Sequence, residues 1–425
     1  MKSNDVNVIE TLLTPEAVRQ RCSQVFEAAE ANGSKYFHIH DENFDAAVDL
    51  VEREIIANYP NGKVPFHSRW RHFEFDNQNF WKKAALKLTK KSKNEIARSQ
   101  IDLAVISVLL DAGAGTSWRY KDLQTGLKFS RSEGLAIASL RLFESGVLSQ
   151  SGLDDPLRVD ATALQALTPE ILAIEFQVSP SNQLLGLEDR AMLLNRLGES
   201  LVKQRHIFEA DGAFRPGNLF DYLSRSQPTG VLEARDILIA ILEGMGEIWP
   251  DGSWIENIPI GDAGYHEAVK RSDITDGVVP FHKLSQWMSY SLIEPLQEAG
   301  LKLKNLDALT GLAEYRNGGL FIDTKTISLR DKTQLEVVHD PKSPLIVEWR
   351  ALTVVFLDKL AERIRRRTNT NSESMPLASI LQGGTWSAGR QIAQQLRVNE
   401  VHRCYYIVEA RFFDNLATYN LGNKI

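Results

Sequence analysis

The chain reads as a mainly α protein of the α+β class, with a small β-sheet or hairpin near residues 319–350. Three observations lead there. Apolar residues recur at the helical period of about 3.6 along most of the chain. Only two stretches carry a strand pattern. Apolar residues are 43% and charged residues 24% of the 425, a globular balance that excludes a disordered, collagen-like or coiled-coil chain.

Residues 43–58 (NFDAAVDLVEREIIAN) put Phe44, Ala47, Val48, Val51 and Ile55 on one stripe, with Asn43 as a candidate cap. Residues 97–110 are apolar nearly all round, which predicts a central helix. Residues 133–143, 169–176, 187–203, 231–245, 282–298 and 354–366 show the same helical period. Residues 319–329 (GLFIDTKTISL) alternate β-branched and polar side chains, and 344–350 (PLIVEWR) is a short extended run. A charged, turn-rich segment separates these two, so they read as a hairpin.

At roughly 100–200 residues per domain the length allows two to four domains. No flexible linker or internal repeat divides the chain, and the composition breaks at 149–156 and 251–277 are weak. Residues 1–397 therefore read as one compact multi-helix domain, of one or two lobes, and 398–425 as an atypical tail. Lys plus Arg (49) against Asp plus Glu (55) gives a net charge of −6, so no global basic field awaits nucleic acid or anionic lipid. The basic runs 82–93 and 363–367 lack interleaved aromatics and read as solvated helix faces. Cys22 and Cys404 build neither a disulfide framework nor a zinc site. The start lacks a signal-peptide pattern, and no apolar run approaches the roughly 18–20 residues of a spanning helix. The expectation is a soluble cytoplasmic protein with a small-molecule substrate, no nucleic acid and no membrane.

Walker A, GxGxxG, HExxH and GxSxG patterns are absent. His38 and His40 have an HxH spacing that would suit a metallohydrolase, but no further ligand stands nearby, so no metal is assigned. Four clusters could carry chemistry. Arg69, Trp70, Arg71 and His72 gather cations and an aromatic plane, which suits phosphate or carboxylate binding and base stacking. Asp111 opens a glycine-containing stretch ending at Trp118 and Arg119, and residues 131–134 open a helix whose N-terminus could accept an anion. His282, Lys283, Gln286 and Trp287 fall close together, with Glu314, Tyr315 and Arg316 following. Glu348 and Arg350 would share one face of an apolar strand, paired or serving a ligand. Each cluster has a bland reading as a cap, a core contact or an ion pair.

Taken together, VPFHSRWRHFE, DLAVISVLLDAGAGTSWRY, RSEGLAIASLRLF, PGNLFDYL, VVPFHKLSQWMSYSLIEPLQEAGL, LTGLAEYRNGGLFID, VEWRALTV and GGTWSAGRQIA closely resemble the uracil catabolism protein 4 family, also called the uracil-regulated gene 3 product. The likeness covers about residues 10–397. After Arg397 the chain departs from the family pattern, as a frameshift or retained intron would make it do. The stretch HKLSQW…GLFID…VEWRALTV also looks like the closing motifs of queuosine-nucleotide N-glycosyl hydrolases, although Pro280-Phe281-His282 stands where their catalytic aspartate would be. The resemblance implies a pyrimidine breakdown route working on ribosylated intermediates, and an N-ribosyl hydrolase acting on a ribosylurea-type or nucleotide-derived compound, without a cofactor. In that reading Glu348 is the first choice for the carboxylate beside the anomeric carbon, with Asp323 and Glu314 behind it. Arg69, Arg71 and Arg119 would hold a phosphate, His282 and Lys283 the leaving group or sugar, and Trp70 or Trp287 a stacking wall. The alternatives are a non-catalytic binder of the same intermediate and a metal-dependent amidohydrolase using His38 and His40.

Overall fold

A computed structural model describes residues 3–226, 229–337 and 339–396. Among them ten helices of nine residues or more carry the architecture: α1 (Pro15–Asn32), α2 (Phe44–Asn58), α3 (Lys93–Leu109), α4 (Arg131–Glu144), α5 (Leu187–Lys203), α6 (Ala234–Met245), α7 (Lys283–Glu298), α8 (Tyr315–Asp323), α9 (Pro344–Thr368) and α10 (Trp386–Leu396). Several starts are written in the sequence. Thr14 accepts from the Ala17 N–H at 3.2 Å with Pro15 in the first turn of α1, and the Ser92 side chain caps α3 through the Glu95 N–H.

Helix α3 is central, as its all-round apolar pattern predicts: from Ser99 to Leu109 every residue is buried. Helix α7 packs along α3, α9 along α1, and α8 against α10. One large apolar cluster runs through these contacts. Pro295 lies inside α7 and has no N–H to offer the Ser291 carbonyl. The Trp70 indole N–H donates to that carbonyl instead, at 2.7 Å, so Trp70 completes the backbone accounting of α7.

Eight strands of three or four residues are β1 (Phe37–Ile39), β2 (Val231–Glu233), β3 (Ser253–Ile255), β4 (Ile258–Gly261), β5 (Ala263–Tyr265), β6 (Val278–Pro280), β7 (Lys302–Lys304) and β8 (Ile327–Leu329). They pair two by two: β1 with β8, β3 with β4 and β5 with β6 antiparallel, β2 with β7 parallel. The protein is thus mainly helical with small β elements.

The strands expected at 319–329 and 344–350 do not form a hairpin. Residues through Asp323 belong to α8, and only Ile327–Leu329 is extended, paired with Phe37–Ile39. Glu314 decides the first point: its carboxylate accepts from the Arg316 and Asn317 N–H groups and starts a helix there. Gly318 lets that helix approach α9, since a Cβ there would lie 2.6 Å from the Trp349 ring. Residues 344–350 open the 25-residue α9, with Ser343 before it and Pro344 in its first turn. From Leu345 to Arg350 every residue is buried, so the apolar run could not be told from a buried strand by pattern alone.

No helix among the described residues is long and apolar enough to cross a membrane. The tail 398–425, with Cys404, lies outside the described residues.

Candidate substrate cavity

A cavity of about 310 Å³ opens where several pieces of chain meet. Asp111 and its neighbours just beyond the C-terminus of α3 form one side. Trp249 to Gly252, Asp262 between β4 and β5, His282 to Ser285 at the start of α7, Asp340 to Lys342, and Arg350 of α9 complete it. The volume lies at the small end of ligand pockets, which run from roughly 300 to 1,000 Å³.

Arg350 anchors Asp262. Its two terminal nitrogens donate to the two carboxylate oxygens at 2.8 and 2.6 Å, and its guanidinium lies 4.0 Å from the centre of the Phe281 ring. The Lys283 N–H, at the first turn of α7, donates to Asp262 Oδ2 at 3.0 Å. Burial pushes the Asp262 carboxyl up, but the charge and hydrogen bonds of Arg350 and the Lys283 N–H outweigh it and bring it down to about 2. Close packing of β5 on α9 brings Asp262 to this arginine, and Gly264 permits it, because a Cβ there would fall 2.3 Å from Val347 Cγ2.

Asp111 is held differently. Arg69 Nη1 stands 3.0 Å from its Oδ2, and Ser132, opening α4, donates to the same oxygen at 3.1 Å. Oδ1 meets no hydrogen-bond donor among the described residues, although the side chain is only 7% exposed. Burial raises the Asp111 carboxyl above its ordinary range against the pull of Arg69. Arg69 itself is wholly buried. Its Nε donates to Ser107 Oγ at 2.7 Å, and its Nη2 has no hydrogen-bond acceptor among the described residues. Arg190 closes the end of α3 by donating to the carbonyls of Leu110, Ala112 and Gly113.

His282 sits at φ 51°, before the first turn of α7. Its Nε2 faces the Leu12 carbonyl at 2.9 Å, which requires the proton on Nε2. Burial lowers its pKa, so the ring is neutral and Nδ1 carries a lone pair; this nitrogen has no partner among the described residues.

Of the residues singled out by sequence, the cavity thus brings together Asp111, His282, Lys283 and Arg350, with Arg69 directly behind Asp111. Trp287 lies next to that arginine, its ring centre 5.7 Å from the guanidinium, with the His72 ring edge-on at 6.0 Å. Burial, then the charge of Arg69, holds the His72 imidazole neutral.

The others serve elsewhere. Glu348 turns away: in a helix, positions two apart point about 200° from one another, so it and Arg350 share no face. Its carboxylate accepts from Ser34 Oγ and meets His266 Nε2 at 3.1 Å, inside the packing of α9. Glu314 is spent on capping α8, and Asp323 is the half-buried last residue of that helix. Arg71 pairs with Glu294 at 2.7 Å and Glu74 at 3.3 Å. Arg119 lies on the surface against the Thr116 and Trp118 carbonyls, and Trp118 is a core side chain bonded to the Phe176 carbonyl. Gln286 braces Thr310 through two hydrogen bonds. Arg316 contacts the Tyr315 hydroxyl at 3.0 Å and lies over the Trp386 ring at 3.9 Å. His40 meets Ser328 and Glu42, and His38 meets Arg330; no group of three His, Cys, Asp or Glu side chains that could share a metal occurs among the described residues.

Sequence reading missed Asp262, Trp249, Asp251, Asp340 and Lys342. The glycine- and aspartate-rich stretch 251–277 was the available signal, visible as a composition break rather than as a site.

The comparisons with known proteins agree with one another. Protein urg3 of Schizosaccharomyces pombe is 39% identical over 400 residues, covering 91% of this chain and 94% of that protein. Uracil catabolism protein 4 of Lachancea kluyveri is 36% identical over 415 residues, covering 89% of this chain and 92% of that one. Residues 11–405 match the family described as "Protein of unknown function (DUF1688)", and with nearly the whole chain matched, the protein belongs to that family.

Proposed function

We propose that the protein acts in uracil catabolism as an N-ribosyl hydrolase, cleaving a ribosylurea-type intermediate in the cavity of Asp111 and Asp262. The names of the two relatives support the pathway. One observation carries the chemistry: two carboxyls on one small cavity are pushed in opposite directions, Asp262 down by Arg350 and Asp111 up by burial. Such a split assigns an acid and an ionised partner.

Breaking the bond between the sugar carbon and nitrogen leaves positive charge on the ribose and both bonding electrons on nitrogen. Asp262, ionised, faces that charge. Asp111, protonated, gives its proton to the departing nitrogen. A water oxygen then bonds to the sugar carbon, and the proton it loses returns to the Asp111 carboxylate. The products are free ribose and urea. The role first expected of Glu348 passes to these two aspartates in this reading.

The test is release of urea and reducing sugar from N-ribosylurea by the purified protein. Release that collapses in Asp111→Asn supports the proposal; no release from the wild type removes it. The pairing of both aspartates with arginines also favours a second reading, a non-catalytic binder of the same intermediate. That reading stands if calorimetry finds binding and no turnover.

A further inference from the structure

An acid at Asp111 turns into a buried carboxylate once its proton has left, and the surroundings must receive that charge. Ser132 Oγ donates to Oδ2 at 3.1 Å, and Arg69 Nη1 stands 3.0 Å from the same oxygen. Oδ1 meets no hydrogen-bond partner among the described residues, which makes it the oxygen that carries the proton in the neutral acid. The charged groups closest in effect are Arg69, Arg190 of α5 and Glu133 of α4. Across the cavity stand neutral His282, Lys283 and the Arg350–Asp262 pair, with Asp251, Asp340 and Lys342 exposed to solvent. Arg190 is committed to three carbonyls at the end of α3, and Glu133 has the wrong sign. Arg69 is the cation in contact, and it receives the new charge.

An arginine side chain is long and jointed, and a cation free to swing would have to be ordered anew at each proton transfer. Arg69 is held. Its backbone N–H donates to Ser291 Oγ on α7 at 2.9 Å, its guanidinium lies 5.7 Å from the Trp287 ring centre, and its Nε donates to Ser107 Oγ at 2.7 Å. Nη2 has no acceptor among the described residues, so the Ser107 hydroxyl sets the rotation of the guanidinium plane. Ser107 is wholly buried on α3, about one turn before Asp111. Its oxygen is fixed in turn: Ser139 Oγ of α4 lies 2.7 Å from it and 2.8 Å from the Ala136 carbonyl. Neither Ser107 nor Arg69 lines the cavity.

We infer that Ser107 is a positioning residue for Asp111: through Arg69 Nε it holds the guanidinium beside Oδ2, where the charge left by proton release is met without rearrangement. That Asp111 uses this arrangement in turnover rests on the hydrolase reading; the holding of its charge does not. Two readouts follow Asp111. One is the pH at which urea release from N-ribosylurea declines. The other is the titration of its carboxyl carbon resonance in isotope-labelled protein, identified by its loss in Asp111→Asn. Arg69→Met is expected to raise both by about 1–3 pH units, the usual weight of an arginine beside an aspartate. Ser107→Ala should raise both by less, with KM little changed, and should add nothing further in the Arg69→Met background. A titration unchanged or lowered in folded Ser107→Ala overturns the inference, and so does an equal rise when Arg69 is already gone. Should Arg69→Met fail to fold, the titration of Ser107→Ala decides by itself. If the wild type releases no urea, the hydrolase reading falls and the carboxyl resonance alone decides the inference.

Discussion

Helix α3 offers two buried aspartate–arginine pairs for comparison. Asp102, in its middle, accepts from Arg215 Nε at 2.9 Å, from Arg215 Nη2, from the Val159 N–H at 3.1 Å and from the Gly217 N–H at 2.6 Å. Arg215 extends the network to Glu95, and Arg98 carries it on to Asp221. Both oxygens of Asp102 are committed to protein. Asp111, just past the end of the same helix, leaves Oδ1 and its arginine's Nη2 uncommitted and lines a cavity. A buried charge pair away from any cavity, with both carboxylate oxygens on donors of the fold, holds segments together. One that withholds part of its hydrogen-bonding capacity at a cavity wall is equipped to meet a ligand.

Substituting the two aspartates separates those roles. Asp111→Asn is expected to lower urea release from N-ribosylurea by about a hundredfold to ten-thousandfold, the usual weight of a general acid, while calorimetric binding of the riboside persists. Asp102→Asn is expected to cost about 3–5 kcal/mol of unfolding free energy, because it leaves Arg215 buried without its charge; urea denaturation measures it. Turnover per folded molecule should be unchanged. If Asp102→Asn instead abolishes turnover in folded protein, the distinction between the two pairs fails.

The pair at Asp262 sharpens the comparison through pH. Its folded-state carboxyl sits at about 2, below an unfolded value of about 3.9. A lowered carboxyl contributes stability that is present above the unfolded value and is lost as pH falls from about 4 through about 2. The amount is about 2 kcal/mol for a side chain as little exposed as this one. Acid unfolding followed by circular dichroism should show that contribution in the wild type and not in Arg350→Met. If turnover follows the proposed roles, the signs differ by residue: Asp262 acts ionised, which limits activity only at very low pH, and Asp111 acts protonated, so activity falls as pH rises past its raised value.

Much of the helical framework was legible because amphipathic and all-apolar periods survive folding, and the central position of α3 followed from its lack of a polar face. Helix α9 was not, since Leu345 to Arg350 are all buried with no solvent-facing stripe to show a helical period, and the Ser343-Pro344 start signal was outweighed by β-branched residues. That one misreading placed Glu348 and Arg350 on a common face and made Glu348 the leading carboxylate. Arg350, His282 and Asp111 were visible as charged or polar groups beside apolar runs. Asp262 was not, because what marks it is an arginine in a different element, far along the chain, and pairwise proximity of that kind leaves no local pattern.

The smallest effect concerns two tryptophans on the same helix surface. Trp70 donates to the Ser291 carbonyl that Pro295 leaves unpaired, whereas Trp287 Nε1 has no partner among the described residues. Trp70→Phe should therefore cost about 1–2 kcal/mol, the penalty of an unsatisfied buried carbonyl. Pro295→Ala restores an N–H that can reach Ser291, so the cost of Trp70→Phe should shrink in the double variant, a coupling that urea denaturation can resolve. Trp287→Phe removes a donor that holds nothing in the protein, so its stability cost should fall below that of Trp70→Phe. An equal or larger cost would mean that unpartnered atoms around Arg69 do not separate ligand-facing groups from structural ones, and the contrast between Asp111 and Asp102 would lose its physical basis.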